Sequence, residues 1–339
     1  MNNESPTTWP AVSVIMPVLN EERHLAAAVT HVLDQDYPGE LELVIALGPS
    51  SDRTGEIAQR LADADTRVRL VENPTGRTPN ALNAAIKASR HDVVVRVDGH
   101  GLLSDGYIRR AVEVLGQTGA ANVGGVMQAE GETAFEDAVA RAMTSRLGIG
   151  GAAFHVGGAA GPAESVYLGT FRRDVLDRLG GYDEHFVRAQ DWELNYRIRR
   201  AGETIWFTPD LTVTYRPRPN VRALASQFFR SGRWRREVVR HYPETANLRY
   251  LAPPAVVVAV GLGAAAGVAV VLGAPGWLSL GWLVPGGYAA GVLIASAVEG
   301  RGLAAKARAW LPVVVATMHL SWGVGFLTRR LRPPSTAGR

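Results

Sequence analysis

The residues best equipped for chemistry sit just after apolar runs. Val93-Val94-Val95-Arg96-Val97 is followed at once by Asp98, Gly99 and His100. The run is mostly β-branched, too short for a helix and bounded by polar residues, which predicts a buried strand of a parallel sheet. Ligands of open α/β sheets sit just outside the carboxyl ends of the strands. A carboxylate and an imidazole there suit a divalent cation and the anionic group it neutralises, and Gly99 lets the backbone come close. Taken alone, Asp98 could equally cap the helix that starts near Asp105, because D-x-H is a short pattern. A second carboxylate, Asp191, opens another helix in Gln190-Asp191-Trp192-Glu193. The helix dipole favours its ionised form, as a proton acceptor requires. In the structural alternative Asp191 and Glu193 only satisfy the helix terminus.

The elements that must hold these groups alternate. Val12–Met16 reads as a strand ending at Pro17, after which Asn20, Glu21 and Glu22 open a helical pattern through Leu25, Val29, Val32 and Leu33. Leu41–Leu47 reads as the next strand, with Pro49, Ser50, Ser51 and Asp52 in its turn. Thr54–Ala64 reads as helix, Val68–Val71 as strand and Pro79–Ala88 as a helix with proline in its first turn. Four such units predict a parallel sheet with helices on both faces. The pattern continues with a helix at Gly106–Gly116, a strand at Ala121–Gln128, a helix at Thr133–Arg146 and a mobile Gly/Ala-rich loop at 148–161. A strand at Ser165–Leu168, helices at Arg172–Leu179 and Asp191–Ala201, and two short strands near Thr204–Phe207 and Thr212–Tyr215 complete it. Read singly, Asn20 is a helix N-cap, Asp52 a turn residue and Arg77 a solvated cation.

From Leu251 the composition turns apolar, in segments Leu251–Gly273, Trp277–Val298 and Trp310–Leu327. About 20 residues are needed to cross the hydrocarbon of a bilayer. The first segment qualifies; the second is expected to kink at Pro285-Gly286-Gly287, and the third is slightly short. Before them Val221–Val239 interleaves arginines with Leu224, Phe228, Phe229 and Trp234, the pattern of a helix on a membrane surface. Between Arg199 and Arg240 ten arginines meet three acids, which points to diphosphates or acidic lipid head groups. No nucleic-acid motif accompanies them, so nucleic acid is not expected as a partner. By the positive-inside rule the N-terminal part is cytoplasmic and Ala274-Pro275-Gly276 external, but Arg329, Arg330 and Arg332 break the rule if the third segment crosses. Either that segment lies in the interface or the rule fails. The chain has no cysteine, hence no disulfide or thiolate metal site, and Met1–Pro10 shows no signal-peptide pattern.

In order, the chain carries Pro17-x-x-Asn20-Glu21, Ser51-Asp52-x-Thr54, Asp98-x-His100, Gly180-Gly181-Tyr182-Asp183, Gln190-Asp191-x-Glu193 and Arg230-x-x-Arg233-Trp234. Their order and spacing over residues 11 to 240 resemble the inverting family 2 glycosyltransferases of the GT-A fold, within them the membrane-bound, succinoglycan-biosynthesis-type enzymes. The resemblance implies an α/β, Rossmann-like, mostly parallel sheet followed by transmembrane helices. Domains are expected at 1–218 (GT-A), 219–250 (basic amphipathic interface segment), 251–328 (two to three hydrophobic helices) and 329–339 (basic tail). It implies that Pro17, Asn20, Glu21 and Asp52 bind the nucleoside and that Asp98 and His100 hold Mg2+ or Mn2+, while Arg77, Asn80 and Asn83 surround the start of the next helix and are placed to approach the diphosphate. Asp191 becomes the general base, Glu193 and Trp234 belong to the acceptor site, and Arg230 and Arg233 face the leaving diphosphate.

Two departures stand out. Gly48-Pro49 replaces a carboxylate that usually contacts the base, and His100 replaces a second carboxylate. The expected activity is transfer of a sugar, from a UDP-hexose, to a lipid-linked or cell-envelope polysaccharide acceptor at the plasma membrane, with the catalytic part cytoplasmic. A polyprenyl-phosphate glycosyltransferase and an inactive nucleotide-sugar-binding scaffold are the alternatives. Because Val12 to about Tyr215 reads as a complete core, a chain cut before residue 251 is expected to fold alone.

Overall fold

A computed structural model describes residues 8–328. The chain divides into two compact units. One comprises the chain up to Gln128 together with Gly151–Tyr215; the other comprises Ala129–Gly150 and the chain from Arg216 onward. The stretch 129–150, placed by sequence inside the first domain, thus belongs with the C-terminal helices. The expected tail, 329–339, lies outside the described residues.

The first unit begins with β1 (Val12–Val18), α1 (Leu25–Leu33), β2 (Leu41–Leu47), α2 (Thr54–Ala64), β3 (Val68–Glu72), α3 (Thr78–Ala88) and β4 (Val93–Arg96). β5 (Leu102–Leu103), α4 (Tyr107–Thr118) and β6 (Asn122–Ala129) follow, then α5 (Ala134–Met143) and α6 (Arg146–Ile149) in the second unit. The chain returns with α7 (Ala153–Val156), β7 (Gly161–Pro162), β8 (Tyr167–Arg172), α8 (Arg173–Leu179), α9 (Gln190–Arg200) and β9 (Ile205–Tyr215). The segment 148–161, expected as a loop, therefore holds the short α7 and the start of β7. The two short strands expected near 204–215 are one strand, since Pro209 and Asp210 point outward without ending it.

The strands form one mixed sheet of order β3-β2-β1-β4-β8-β6-β9-β5, with β7 added on β9. β3, β2, β1 and β4 are parallel, as the four alternating units predict. β8 joins β4 antiparallel, and the β8–β6, β9–β5 and β9–β7 pairs are antiparallel too. Close approach in this half needs glycine: a Cβ on Gly125 would lie 1.9 Å from the Leu211 carbonyl oxygen. Alternation sends Val12, Val14, Met16, Leu43 and Ile45 to one face, against α1, α2 and α4. Ile15, Val44 and Ala46 go to the other, against α3, α8 and α9. The two cores fix the carboxyl ends of β1, β2 and β4 side by side, where the candidate residues emerge.

The second unit contains α5, α6, α10 (Val221–His241), α11 (Leu248–Val271), a 3-10 segment (Gly276–Trp282), α12 (Leu283–Glu299) and α13 (Ala305–Leu327). Three stretches are long and apolar enough to cross a membrane: α11, Gly276–Glu299 and α13. Pro285 does not lie mid-helix, as expected, but in the first turn of α12, just after the 3-10 segment, where its missing N–H costs nothing. α13 is not short; it begins at Ala305, taking in Lys306 and Arg308.

α5 is closed at its start by a capping box, Thr133 with Glu136, and buries Phe135, Ala138, Val139, Ala142 and Met143. It packs on α13, with the Phe135 and Trp310 rings edge to face at 5.4 Å. That packing argues against the expectation that a chain ending at 250 folds alone. Without α13, Phe135, Val139 and Met143 meet water, and burying such side chains is worth about 1.5–3 kcal/mol each. A chain ending at residue 250 is expected to aggregate, and the same cut with Phe135→Ser and Val139→Ser to run as a monomer on size exclusion. A monodisperse unsubstituted truncation would contradict the packing argument.

Candidate active site

β4 is buried along its whole length, and its last residue is charged. Arg96 is 3% exposed. Its Nε and Nη2 donate to Asp98 Oδ1 at 3.1 and 3.0 Å, and its Nη1 donates to Asp191 Oδ1. One guanidinium therefore gathers the Asp of the Asp-x-His pattern, two residues on, and the first-turn carboxylate of α9, 95 residues on from Arg96. Burial raises the Asp191 pKa; the Arg96 charge pulls it back and the Asp98 charge pushes it further up. The Tyr182 ring lies 5.9 Å from the Arg96 guanidinium, and burial pushes its phenol up, so it stays neutral.

The strands' ends supply the rest. Asn20 adopts a left-handed conformation (φ 57°), its N–H donates to Ser50 Oγ at 3.0 Å, and its Oδ1 accepts from the Ser51 N–H at 2.8 Å. Glu21 N–H donates to Thr54 Oγ1 at 2.7 Å, and Asp52 accepts from the N–H groups of Glu22 and Thr54 and from the Thr54 hydroxyl. That hydroxyl is the leading cause of a lowered Asp52 pKa. Asn20 and Asp52 thus lock the loop after β1 to the turn after β2. Glu21 Oε1 lies 2.8 Å from His100 Nδ1. The approach needs Gly99, whose Cβ would meet Glu21 Cγ at 3.2 Å. With Nδ1–H donated to Glu21, Nε2 is the nitrogen with a lone pair. Pro17 pairs with Ala46 at the end of the parallel ladder. At Gly48 a Cβ would crowd Leu19 at 3.0 Å, which leaves no ready room for the missing carboxylate.

Glu193 lies behind this surface. It is fully buried, and both its oxygens accept from Arg197, at 2.6 and 2.7 Å. Arg197 also donates to the carbonyls of Leu179 and Gly181, at 2.8 Å each. The pair braces the turn Gly180-Gly181-Tyr182-Asp183. Asn83 holds the same turn from α3, donating to Tyr182 O and accepting from Tyr182 N–H, both at 2.8 Å. Its amide is therefore engaged within the protein. Glu184 adds bonds from Asn80 and Asn83. The Arg77 side chain makes no hydrogen bond or ion pair among the described residues and precedes the first turn of α3. Arg230, Arg233 and Trp234 lie on α10 in the second unit; Arg230 is exposed, and Arg233 lies over the Phe229 ring at 5.8 Å.

Sequence reasoning missed Arg96, Arg197 and Glu184. The signals were available for two: a charge ending a buried β-branched run, and an acid and a base at i and i+4 in Glu193 and Arg197.

Four parallel strands continued by an antiparallel edge, with these groups at the strand ends, make a GT-A fold. The mannosyltransferase PcManGT of Pyrobaculum calidifontis, solved with GDP-Man and Mn2+, shares it. Its TM-score is 0.59 at 22% identity, over 95% of this chain and 88% of that one. Residues 13–180 match the family described as Glycosyl transferase family 2. The succinoglycan biosynthesis protein ExoA of Rhizobium meliloti is 33% identical over 331 residues, 92% of this chain and 93% of that one. A Methanococcus voltae relative, dolichyl N-acetyl-alpha-D-glucosaminyl phosphate 3-beta-D-2,3-diacetamido-2,3-dideoxy-beta-D-glucuronosyltransferase, is 22% identical over 64% of this chain and 70% of its own. The chain belongs to glycosyl transferase family 2 and is a glycosyltransferase.

Because Arg96 offsets the burial and Asp98 effects on Asp191, removing its charge raises that carboxyl further. As the pH falls, a group that must be ionised to act then begins to lose activity at a higher pH than in the wild type. Arg96→Met is expected to move the acid limb of kcat/KM upward and to lower kcat about tenfold, roughly 1.4 kcal/mol of barrier. Arg96→Lys, which keeps the charge, should hold the limb near wild type. An unmoved limb in Arg96→Met would remove Arg96 from the site's electrostatics.

Proposed function

We propose that this chain is a membrane-anchored inverting glycosyltransferase, moving a sugar from a UDP-hexose donor to a lipid-linked or cell-envelope polysaccharide acceptor. The observation that carries it is the convergence of Asp98 and Asp191 on Arg96 at the carboxyl end of β4. The lipid-linked acceptor is supported by the dolichyl-linked sugar in the name of the Methanococcus voltae relative, and polysaccharide synthesis by the name of ExoA. Three apolar stretches supply the anchor. Arginines before α11 and the uncharged link after it favour a cytoplasmic catalytic unit at the plasma membrane.

The donor set fits a divalent cation. Arg96 takes one oxygen of Asp98 and leaves the other without a hydrogen bond among the described residues, while Glu21 orients His100. Asp98 and His100 would hold the ion, and a mixed oxygen–nitrogen pair suits Mn2+ better than Mg2+. Bound there, it would neutralise the donor's diphosphate. Asp191 takes the proton from the acceptor hydroxyl as that oxygen bonds to the anomeric carbon and the nucleoside diphosphate leaves with the electrons of the broken bond. Its raised pKa brings its basicity closer to that task while Arg96 keeps it ionisable.

A panel of UDP- and GDP-sugars, offered to membranes with lipid-linked glycans or polyprenyl phosphate, tests the reading directly. Binding without hydrolysis or transfer across the panel would leave only a scaffold. Asp191→Asn keeps the side chain's shape but removes the proton acceptor. It should leave UDP affinity near wild type and slow transfer about 10²- to 10⁴-fold, roughly 2.7–5.4 kcal/mol. Glu193→Gln should instead lower stability by about 3 kcal/mol, the low end for breaking a buried pair, because Arg197 keeps some exposure and two carbonyl partners. Turnover of Asp191→Asn within about threefold of wild type would move the base elsewhere.

Asp98→Ala is expected to weaken UDP binding in the presence of Mn2+ and to leave metal-free binding unchanged. Isothermal titration giving the wild-type affinity with Mn2+ would sink the metal assignment.

A further inference from the structure

We infer that α13 is not a third membrane crossing but lies along the membrane surface beside α10, so that the chain crosses the bilayer twice. The inference rests on the membrane-anchored reading above and concerns the second unit alone.

α10 and α13 meet backbone to backbone. A Cβ on Gly232 would stand 2.0 Å from the Trp322 carbonyl oxygen, and one on Gly325 2.1 Å from that of Phe229. Arg236 Nη1 donates to the carbonyls of Phe326 and Leu327, at 3.1 and 3.0 Å, closing the last turn of α13. α10 carries Arg222, Arg230, Arg233, Arg235, Arg236 and Arg240. Arginine in the middle of a bilayer is costly and rare. A helix bound this tightly to α10 shares its depth.

The other half of α13 is held by side chains. Trp310 packs on Phe135 of α5, whose first turn carries Glu136 and Asp137. α13 thus lies against charged helices at both ends. Its most apolar window is 33% buried inside the protein, against 17% for α11 and 6% for Gly276–Glu299.

The position of its end decides the matter. α11 leaves the arginine-rich side at Leu248 and α12 returns to it at Glu299. A spanning α13 would then finish level with the far end of α11, near Val271. Instead a Cβ on Gly323, close to the end of α13, would lie 2.5 Å from the Pro253 carbonyl oxygen, in the opening turns of α11. The end of α13 stays where α11 starts.

The exposed apolar residues of α13 fit a lipid surface. Trp310, Val313, Val324 and Leu327 are each 42–44% exposed. At about 100° per residue they fall within one arc of about 100°. Arg301, Lys306 and Arg308 precede this face, as suits anionic head groups. The partner is thus the boundary between head groups and acyl chains, which takes a helix lying in its plane.

The natural chain has no cysteine, so single cysteines report cleanly. Ala246→Cys marks the start of α11, Gly276→Cys the link between the crossings and Thr328→Cys the end of α13. Each full-length variant is labelled with a membrane-impermeant maleimide in sealed inside-out and right-side-out vesicles. Thr328→Cys is expected to label in the same vesicles as Ala246→Cys and at least tenfold more than in those that label Gly276→Cys. Labelling of Thr328→Cys with Gly276→Cys, or equally from both sides, overturns the inference and leaves the anchoring reading standing. Recovery of the protein in the soluble fraction overturns both.

Discussion

The site depends on a single buried guanidinium. Arg96 ends a strand whose other residues are all valine and buried, where an unpaired cation would be severely destabilising. Two carboxylates must come to it, and they arrive from different levels of the fold. Asp98 is two residues on, so local geometry delivers it. Asp191 is brought only by the docking of α9 onto the sheet through Leu194 and Ile198. A buried charge thus couples the core to the site: the carboxylates that neutralise it are the two proposed to serve the donor's metal and the acceptor.

The surroundings are held by strained backbone and by hydrogen bonds from behind. The non-glycine residues with positive φ among those described are Asn20, Leu168 and Ala189. Each stands next to this site: in the loop after β1, at the start of β8 beside β4, and just before Gln190-Asp191. Left-handed conformation costs a non-glycine residue about 1–3 kcal/mol and persists where neighbours over-determine it. Asn20 repays that cost with two bonds to the Ser50–Ser51 turn. Glu193, Arg197 and Asn83 brace the Gly180–Asp183 turn, so that Tyr182 stays over Arg96. Glu193, buried among these bonds, therefore serves to hold the turn from behind.

Legibility in the sequence followed the range of the interactions. β1 to β4 and α1 to α3 were readable nearly to the residue because short apolar strand runs alternate with amphipathic helical patterns, separated by turn residues such as Pro49, Ser50 and Ser51. The antiparallel half was not: β8 inserts between β4 and β6 without a tight turn to announce it. Gly125 and Gly169, which permit the close approach, look like loop residues. Asp98 and Asp191 could be picked by type and place, but Arg96 reads as a break in a strand until its partners are known. Glu193 carries the opposite lesson. An acid in the first turn of a helix is expected at the surface, and only the Arg197 four residues later hinted that it was paired inside.

The same logic explains why three apolar segments of similar length take different roles. Length and hydropathy measure what a helix could enter; packing partners determine what it does enter. Between helices in lipid the hydrophobic effect gives little drive, so close association needs small residues that let backbones touch. α11 meets the 3-10 segment through Gly263 and Gly267, against Gly281 and Trp282, an apolar contact suited to a crossing pair. α13 and α10 meet through Gly325 and Gly232 in the same way, but α10 is studded with arginine. Identical packing chemistry therefore leads to opposite depths, because the partner's charge and not the helix's own sequence sets where the pair can sit.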